Sequence, residues 1–377
     1  MTGKMLFARD YAVARSLFLD GAAAAGAGVD AWPVAGAGPD GGALFTDVAR
    51  IGPANARRLL LITSGTHGNE GHCGSAVQSD LLLSGLPLLL DPHGGQLPTD
   101  FAIVLIHAVN PWGFAHARRQ TEANVDLNRN FRDWSITPPD RPVYAELHPS
   151  LCPTSIDAAS EAEFVAMAGA LVEEHGIAWV QARLSEGQWS HSDGHYYGGA
   201  GPAPENLQLR RIMSEHLQGV EETLLIDVHT GMGAYGDHIL LAGTERATEE
   251  GRWLAHAFAP QRLFAMESDG EAAGGRWPTL DGKMTRAIQK AHPEINLHAL
   301  SIEFGTFNGS SVFMAERREN WAWRCHGAGT AEQRHQAEAL LGAMVPDDPL
   351  WQARVIAGAR ATVTDGLRAL VGEGPER

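Results

Sequence analysis

Cysteine is scarce in this sequence: Cys73, Cys152 and Cys325 are the three present in 377 residues. An odd number at long spacing argues against a disulfide scaffold and against a thiolate metal cage. No run of about 18 apolar residues occurs, so no membrane-spanning helix is expected. The first ten residues carry Lys4, Arg9 and Asp10 without an apolar stretch, and Leu17-Phe18-Leu19 is cut short by Asp20. No secretion signal is read there, and a cytoplasmic location is expected. Positive charge is also short: 29 Lys and Arg stand against 45 Asp and Glu, a formal net charge of −16. Such a surface repels phosphate backbones and anionic membranes, which argues against nucleic-acid and membrane partners. The pairs Arg57-Arg58, Arg118-Arg119 and Arg210-Arg211 are too scattered to form a basic patch. No repeat with a period of 20–50 residues is present.

What the chain has is apolar content, 44% of residues, enough for one large α/β domain. Short apolar runs ending in glycine or polar residues predict strands at 58–64, 101–109, 223–229, 238–242 and 297–304, with less regular patterns at 29–34 and 43–51. Helical periodicity predicts helices at 10–24, 71–84, 160–175, 204–217, 244–257, 282–290, 331–344 and 348–371. Alternating strands and helices imply a mixed, largely parallel sheet with helices on both faces. Residues 137–155 and 187–204 are rich in proline or glycine and read as loops at the mouth of a site.

Four segments carry chemistry. In Ser64-Gly65-Thr66-His67-Gly68-Asn69-Glu70-Gly71 a strand ends, turns through glycine and enters a helix. His67 and Glu70 can then point to one spot past the strand end, where ligands of open α/β sheets collect. Imidazole and carboxylate together suit zinc, and a third ligand would leave one position open. Cys73 lies nearby, but a small residue at a helix start is a plainer reading for it than a nucleophile. His229 closes the apolar run Leu225-Ile226-Asp227-Val228 immediately before Thr230-Gly231; a satisfied strand-end histidine is the bland alternative. Glu303 lies inside the apolar run Leu300–Phe304, where an unpaired charge costs several kcal/mol. A carboxylate in that setting is either paired or used, and a base for an attacking water is one use. The fourth segment runs from Arg119 through Asp126-Leu127-Asn128-Arg129-Asn130-Phe131. It reads as a surface loop by pattern, yet its arginines and asparagine suit a carboxylate and a developing oxyanion.

In this order the four segments resemble the zinc metallocarboxypeptidase clan, which includes the succinylglutamate desuccinylase and aspartoacylase deacylases. The resemblance covers residues 59–307. It implies one zinc-carboxypeptidase-like domain over 1–377, with insertions at about 137–204 and a helical extension at about 331–371. It implies that His67, Glu70 and His229 hold one Zn2+, and that Glu303 is the general base and acid. By the same resemblance Arg119 stabilises the oxyanion, Asn128 and Arg129 grip the substrate carboxylate, and Asp126 orients the first zinc histidine. The clan's peptidases place a tyrosine some twenty residues before the base. Residues 274–282 contain Trp277 and no tyrosine here, so either Tyr196, Tyr197 or Tyr235 takes its place or the site lacks it. Gly187-Gln188-Trp189 and Tyr196-Tyr197-Gly198-Gly199 resemble a bacterial branch of the clan whose function is unassigned. Three activities remain compatible: a carboxypeptidase or small-peptide hydrolase, an N-acyl-amino-acid deacylase, and a non-catalytic binding protein.

Overall fold

A computed structural model describes residues 6–86, 97–258, 262–265 and 282–372. Its strands are β1 (Gly28–Ala37), β2 (Ala43–Ile51), β3 (Arg58–Ser64), β4 (Phe101–His107), β5 (Glu222–Thr230), β6 (His238–Ala242), β7 (Leu263–Ala265) and β8 (Asn296–Phe304). They form one sheet in the order β1-β2-β4-β3-β5-β8-β6-β7. The central four, β4, β3, β5 and β8, run parallel, while β2 on one side and β6 on the other pair antiparallel to them. The α/β class expected from the alternating pattern is the one observed.

The central strands are apolar on both faces because both faces are covered. Successive side chains alternate: Leu60 and Ile62 enter one core cluster, Leu59 and Leu61 the other. The first cluster is closed by helices Tyr11–Ala24, Gly71–Asp80, Glu249–Ala257 and Pro349–Leu370, the second by Pro204–His216 and Met284–Ala291. Helix Pro349–Leu370, expected as an extension, is therefore part of the main layer. It buries Trp351, Val355, Val363 and Leu367 against the sheet, and Arg58 Nη1 donates to Leu370 O at 2.9 Å.

Several boundaries differ from expectation for local reasons. The helix expected from 244 starts at Glu249, because Thr248 Oγ1 caps it by accepting from Gly251 N. The 71–84 helix is α-helical to Asp80 and continues as a π turn over Leu81–Gly85. Residues 137–155, expected as a loop, contain helix Pro142–Leu151, where Pro142 occupies the first turn and so breaks no helical hydrogen bond. Helix Ile177–Ser185 and the 18-residue helix Gly309–His326 are also absent from the sequence reading.

Helix Gly309–His326 lacks an apolar stripe because much of its buried face is polar: Glu316, Arg317, Glu319 and Asn320 are all buried. Glu319 accepts from Arg118 Nε at 3.0 Å and from Gln333 Nε2 at 2.9 Å. Arg317 donates to the carbonyl of Ser150. Phe313 and Met314 of this helix pack against a cluster of Tyr144, Leu151, Cys152 and Phe164. The helices of 142–185 are thereby tied to it, beside the carboxyl ends of the central strands. Among the described residues no helix is long and apolar enough to cross a membrane.

Removing one partner of a buried ion pair leaves a charge without compensation. Glu319→Ala is expected to cost about 3–5 kcal/mol of folding free energy, measured by urea denaturation. A change below about 1 kcal/mol would show that Arg118 finds other compensation in its buried setting.

Candidate metal centre

The register of the sheet places two of the site residues. In the parallel pairing of β5 with β8, His229 stands opposite Glu303 and Asp227 opposite Ser301. His229 and Glu303 therefore project side by side at the carboxyl ends of neighbouring strands. On β3 the chain turns after Ser64 through Gly65, whose φ of +64° favours glycine. Gly68 is required for a second reason: a Cβ there would lie 2.1 Å from the Gly113 carbonyl carbon. That close approach lets Gly68 N donate to Arg119 O and Asn69 N donate to Arg118 O. The loop bearing Arg119 is thus clamped to the turn bearing His67 and Glu70.

His67, Glu70 and His229 are brought together, each buried, with one ligating atom apiece inside a 4.8 Å sphere of mutual distances. His67 Nδ1 and Glu70 Oε1 are 2.8 Å apart, as are His229 Nδ1 and Glu70 Oε2. Thr230 N donates to Glu70 Oε2 at 3.1 Å. Burial alone would raise the Glu70 carboxyl, but the two imidazoles facing it hold it below the usual carboxylate range. The other ring nitrogen of each histidine lies near a second carboxylate, and that of His67 also accepts from Arg119 Nη2 at 3.0 Å. His67 Nε2 lies 3.4 Å from Asp126 Oδ1, and His229 Nε2 lies 2.6 Å from Asp227 Oδ2. Asp227 Oδ1 also accepts from Thr63 and Thr66. Carboxylates behind metal-binding imidazoles fix ring orientation and raise donor strength. Asp126 was expected from the sequence. Asp227 was not, although its spacing of two from His229 on a strand puts both on one face.

Around this set the structure places Glu303, Arg119, Asn128, Arg129 and Tyr196 on one cavity. Glu303 Oε2 is buried without a hydrogen-bond partner among the described residues, and burial pushes its carboxyl up to about 7. Arg119 Nε donates to Asp126 Oδ2 at 3.0 Å, and Arg119 Nη1 lies 3.4 Å from Glu70 Oε1. Arg129 is buried, donates to the Ser185 and Asn128 carbonyls, and has no carboxylate within ion-pair distance among the described residues. Asn128 Oδ1 accepts from Met284 N at 3.0 Å, and its amide N–H groups have no partner among the described residues. The Tyr196 ring lies between the two cations, 5.3 Å from the Arg119 and 5.5 Å from the Arg129 guanidinium carbon.

Two expectations are corrected. Tyr197 does not reach the cavity: it packs with Val125, Leu127 and Phe131 in the second core cluster. Its carbonyl accepts from Asp126 N. Tyr196 has a φ of +53°, and the turn there sends the two adjacent rings in different directions. Tyr235 is also remote, with its hydroxyl on Asp348 Oδ2 and its ring against Phe307. Residues 274–281, including Trp277, lie outside the described residues. Cys73 is fully buried in the core, where burial pushes its thiol well up, an unsuitable setting for a nucleophile.

The sequence also gave no sign of Glu316 and Lys283, which line the same cavity. Glu316 accepts from the Tyr196 hydroxyl at 3.3 Å and lies 3.6 Å from Arg119 Nη1. It occurs in a charged run that reads as a solvated helix face. Burial lowers Lys283 to about 8, against the opposing pull of Glu303 and Asp227.

The donor set fits a divalent cation of the zinc type: two imidazoles and a carboxylate, with room for a fourth ligand. Losing a carboxylate that supports a ligand typically weakens binding by roughly 10–100-fold. Asp227→Ala is expected to weaken Zn2+ binding by about that factor in a chelator competition titration. Unchanged affinity with the wild-type fold retained would show that the Asp227 contact does not tune the site.

The fold and site can now be set beside known proteins. The chain is similar in structure to carboxypeptidase A from Helicoverpa armigera, at 14% identity, covering 89% of this chain and 74% of that one, with a TM-score of 0.42. It is similar to bovine thrombin-activatable fibrinolysis inhibitor at 12% identity, covering 94% and 96%, with a TM-score of 0.44. It is also similar to murein-tripeptide amidase MpaA from Escherichia coli O157, at 19% identity, covering 86% and 97%, with a TM-score of 0.36. No curated protein matches it in sequence. Residues 7–358 match the family described as "Protein of unknown function (DUF2817)", and the chain belongs to that family.

Proposed function

We propose that this protein is a single-zinc hydrolase that cleaves a peptide or amide bond next to a free carboxylate. The observation that carries the reading is Glu303: a buried carboxylate with one oxygen lacking a partner, placed by the sheet register beside a three-donor set. His67, Glu70 and His229 would hold the ion. When bound, zinc supplies a Lewis acid that acidifies water and polarises the scissile carbonyl.

The chain's own residues then divide the work. Glu303 takes a proton from the attacking water and passes it to the leaving amine. Arg119, half-buried beside the ligand set, donates to the oxyanion that develops on the carbonyl. Asn128 and Arg129 bind the substrate carboxylate. A buried guanidinium whose hydrogen bonds among the described residues go to carbonyls keeps a demand for an anion, and its planar fork matches a carboxylate. Tyr196 orders the space between the two arginines.

Two measurements test this reading. Glu303→Gln keeps the shape of the side chain and removes the base. It is expected to bind zinc normally and to lose on the order of 10²–10⁴ in kcat; near wild-type turnover in the zinc-loaded variant would make Glu303 structural. The second compares a substrate with its C-terminal amide. Loss of the charged contact to Arg129 is expected to cost roughly 1.5–3 kcal/mol in kcat/KM. Equal efficiency on acid and amide would remove the carboxylate requirement.

A further inference from the structure

The cavity that contains the candidate centre is much larger than the centre itself. It encloses about 630 Å3, within the range that buries an entire small-molecule ligand. Its polar residues include those at the carboxyl ends of β5 and β8 and in the Arg119–Arg129 segment. The wall formed by the helices is largely apolar. Helix Ala158–His175 supplies Phe164, Ala168 and Val172, helix Ile177–Ser185 supplies Val180 and Leu184, and helix Gly309–His326 supplies Phe313.

The first two of these helices touch the Tyr144, Leu151 and Cys152 cluster through Phe164, Met167, Ala168 and Leu184, and most of their remaining surface lies outside the core. Each has one buried residue among those described, Phe164 and Val180 respectively. Val165 and Ile177 are 60% and 51% exposed, and both line the cavity. The apolar side of a helix normally meets a core. Here the apolar residues of two consecutive helices meet a cavity, an arrangement that marks a ligand groove or partner site. Continuity with the polar floor selects the ligand: a molecule fixed by its carboxylate at Arg129 has its remaining length along this wall.

We propose that the wall binds a hydrocarbon chain of several carbons, so that the substrate is amphiphilic, a carboxylate-bearing amide with an extended apolar tail. The tail's role as part of a substrate rests on the hydrolase reading; its binding to the wall does not. An acyl chain and the apolar side chains of a peptide offer the same chemistry, and the probes below separate them.

The test is calorimetric and uses protein stripped of metal by a chelator, so that turnover plays no part. Straight-chain carboxylates from butanoate to dodecanoate are titrated in turn. Affinity is expected to rise about fourfold for each added methylene until the wall is filled. Val165→Glu, an exposed position that carries no fold, and Val172→Glu, deeper in the wall, are each expected to weaken dodecanoate at least tenfold. Butanoate should stay within twofold. Val13→Glu, 52% exposed and outside the cavity, is expected to change neither. A trileucine peptide tested beside dodecanoate decides the source: tighter dodecanoate supports the acyl chain, and tighter peptide overturns it in favour of side chains.

Affinity that does not depend on chain length overturns the proposal. So does a dimer in sedimentation that Val165→Glu dissociates while chain length has no effect, since a second copy then covers the wall. Hydrolysis of short acylated amino acids together with a flat chain-length response would sink this inference and leave the hydrolase reading intact. A steep response without turnover of any amide would do the reverse.

Discussion

Negative charge buried at the strand ends is the constraint to which the rest of the site answers. Glu70, Glu303 and Glu316 line one cavity, and Asp126 and Asp227 lie buried behind its two histidines. Charge withdrawn from water must be matched by counter-charge and hydrogen bonds, or it is given up by protonation. The five separate into two groups by partner and not by depth. Glu70, Asp126 and Asp227 face imidazoles or arginine and are held low. Glu303 and Glu316 are pushed up, because burial outweighs the cations near them. Groups of one chemical type are thereby held in different states, the first three as anions and the last two pushed toward protonation.

Backbone geometry supplies the precision this electrostatics needs. His229 and Glu303 owe their proximity to strand register, which cannot slip by one residue without turning both side chains to the opposite face. His67 and Glu70 owe theirs to a turn in which Gly68 meets the backbone of Gly113. The Arg119 loop is held by hydrogen bonds to that same turn. Three separate stretches of chain are thus fixed to one another by main-chain contacts before any side chain is considered.

The three-donor set was legible only through the order of four motifs taken together, whereas the parallel core was legible because its strands are apolar runs closed by glycine or polar residues. Such punctuation is local, and pattern reading detects it. What was hidden depends on partners distant in sequence. Glu316 and Glu319 look like a solvated helix face until Arg119 and Arg118 are placed against them. Tyr196 and Tyr197 are indistinguishable in a motif, and a positive φ decides which ring enters the cavity. Asp227 could have been found from its two-residue spacing to His229. Short helices starting at proline, such as Pro142–Leu151, were obscured because proline was read as a breaker and not as a first-turn residue.

Helix Pro349–Leu370 has a consequence for the order in which the molecule assembles. It packs on β3, on β5 and on helix Gly71–Asp80, and Arg360 reaches Asp80 across 280 positions. The face of the strands that lead to His67 and His229 therefore lacks one of its four covering helices until this helix docks. Contacts of such separation close slowly, because a long loop must be ordered before they repay its entropy. In the interval part of the apolar face that includes Leu60, Ile62, Leu224 and Ile226 is incompletely covered, the kind of surface that favours association between unfinished chains.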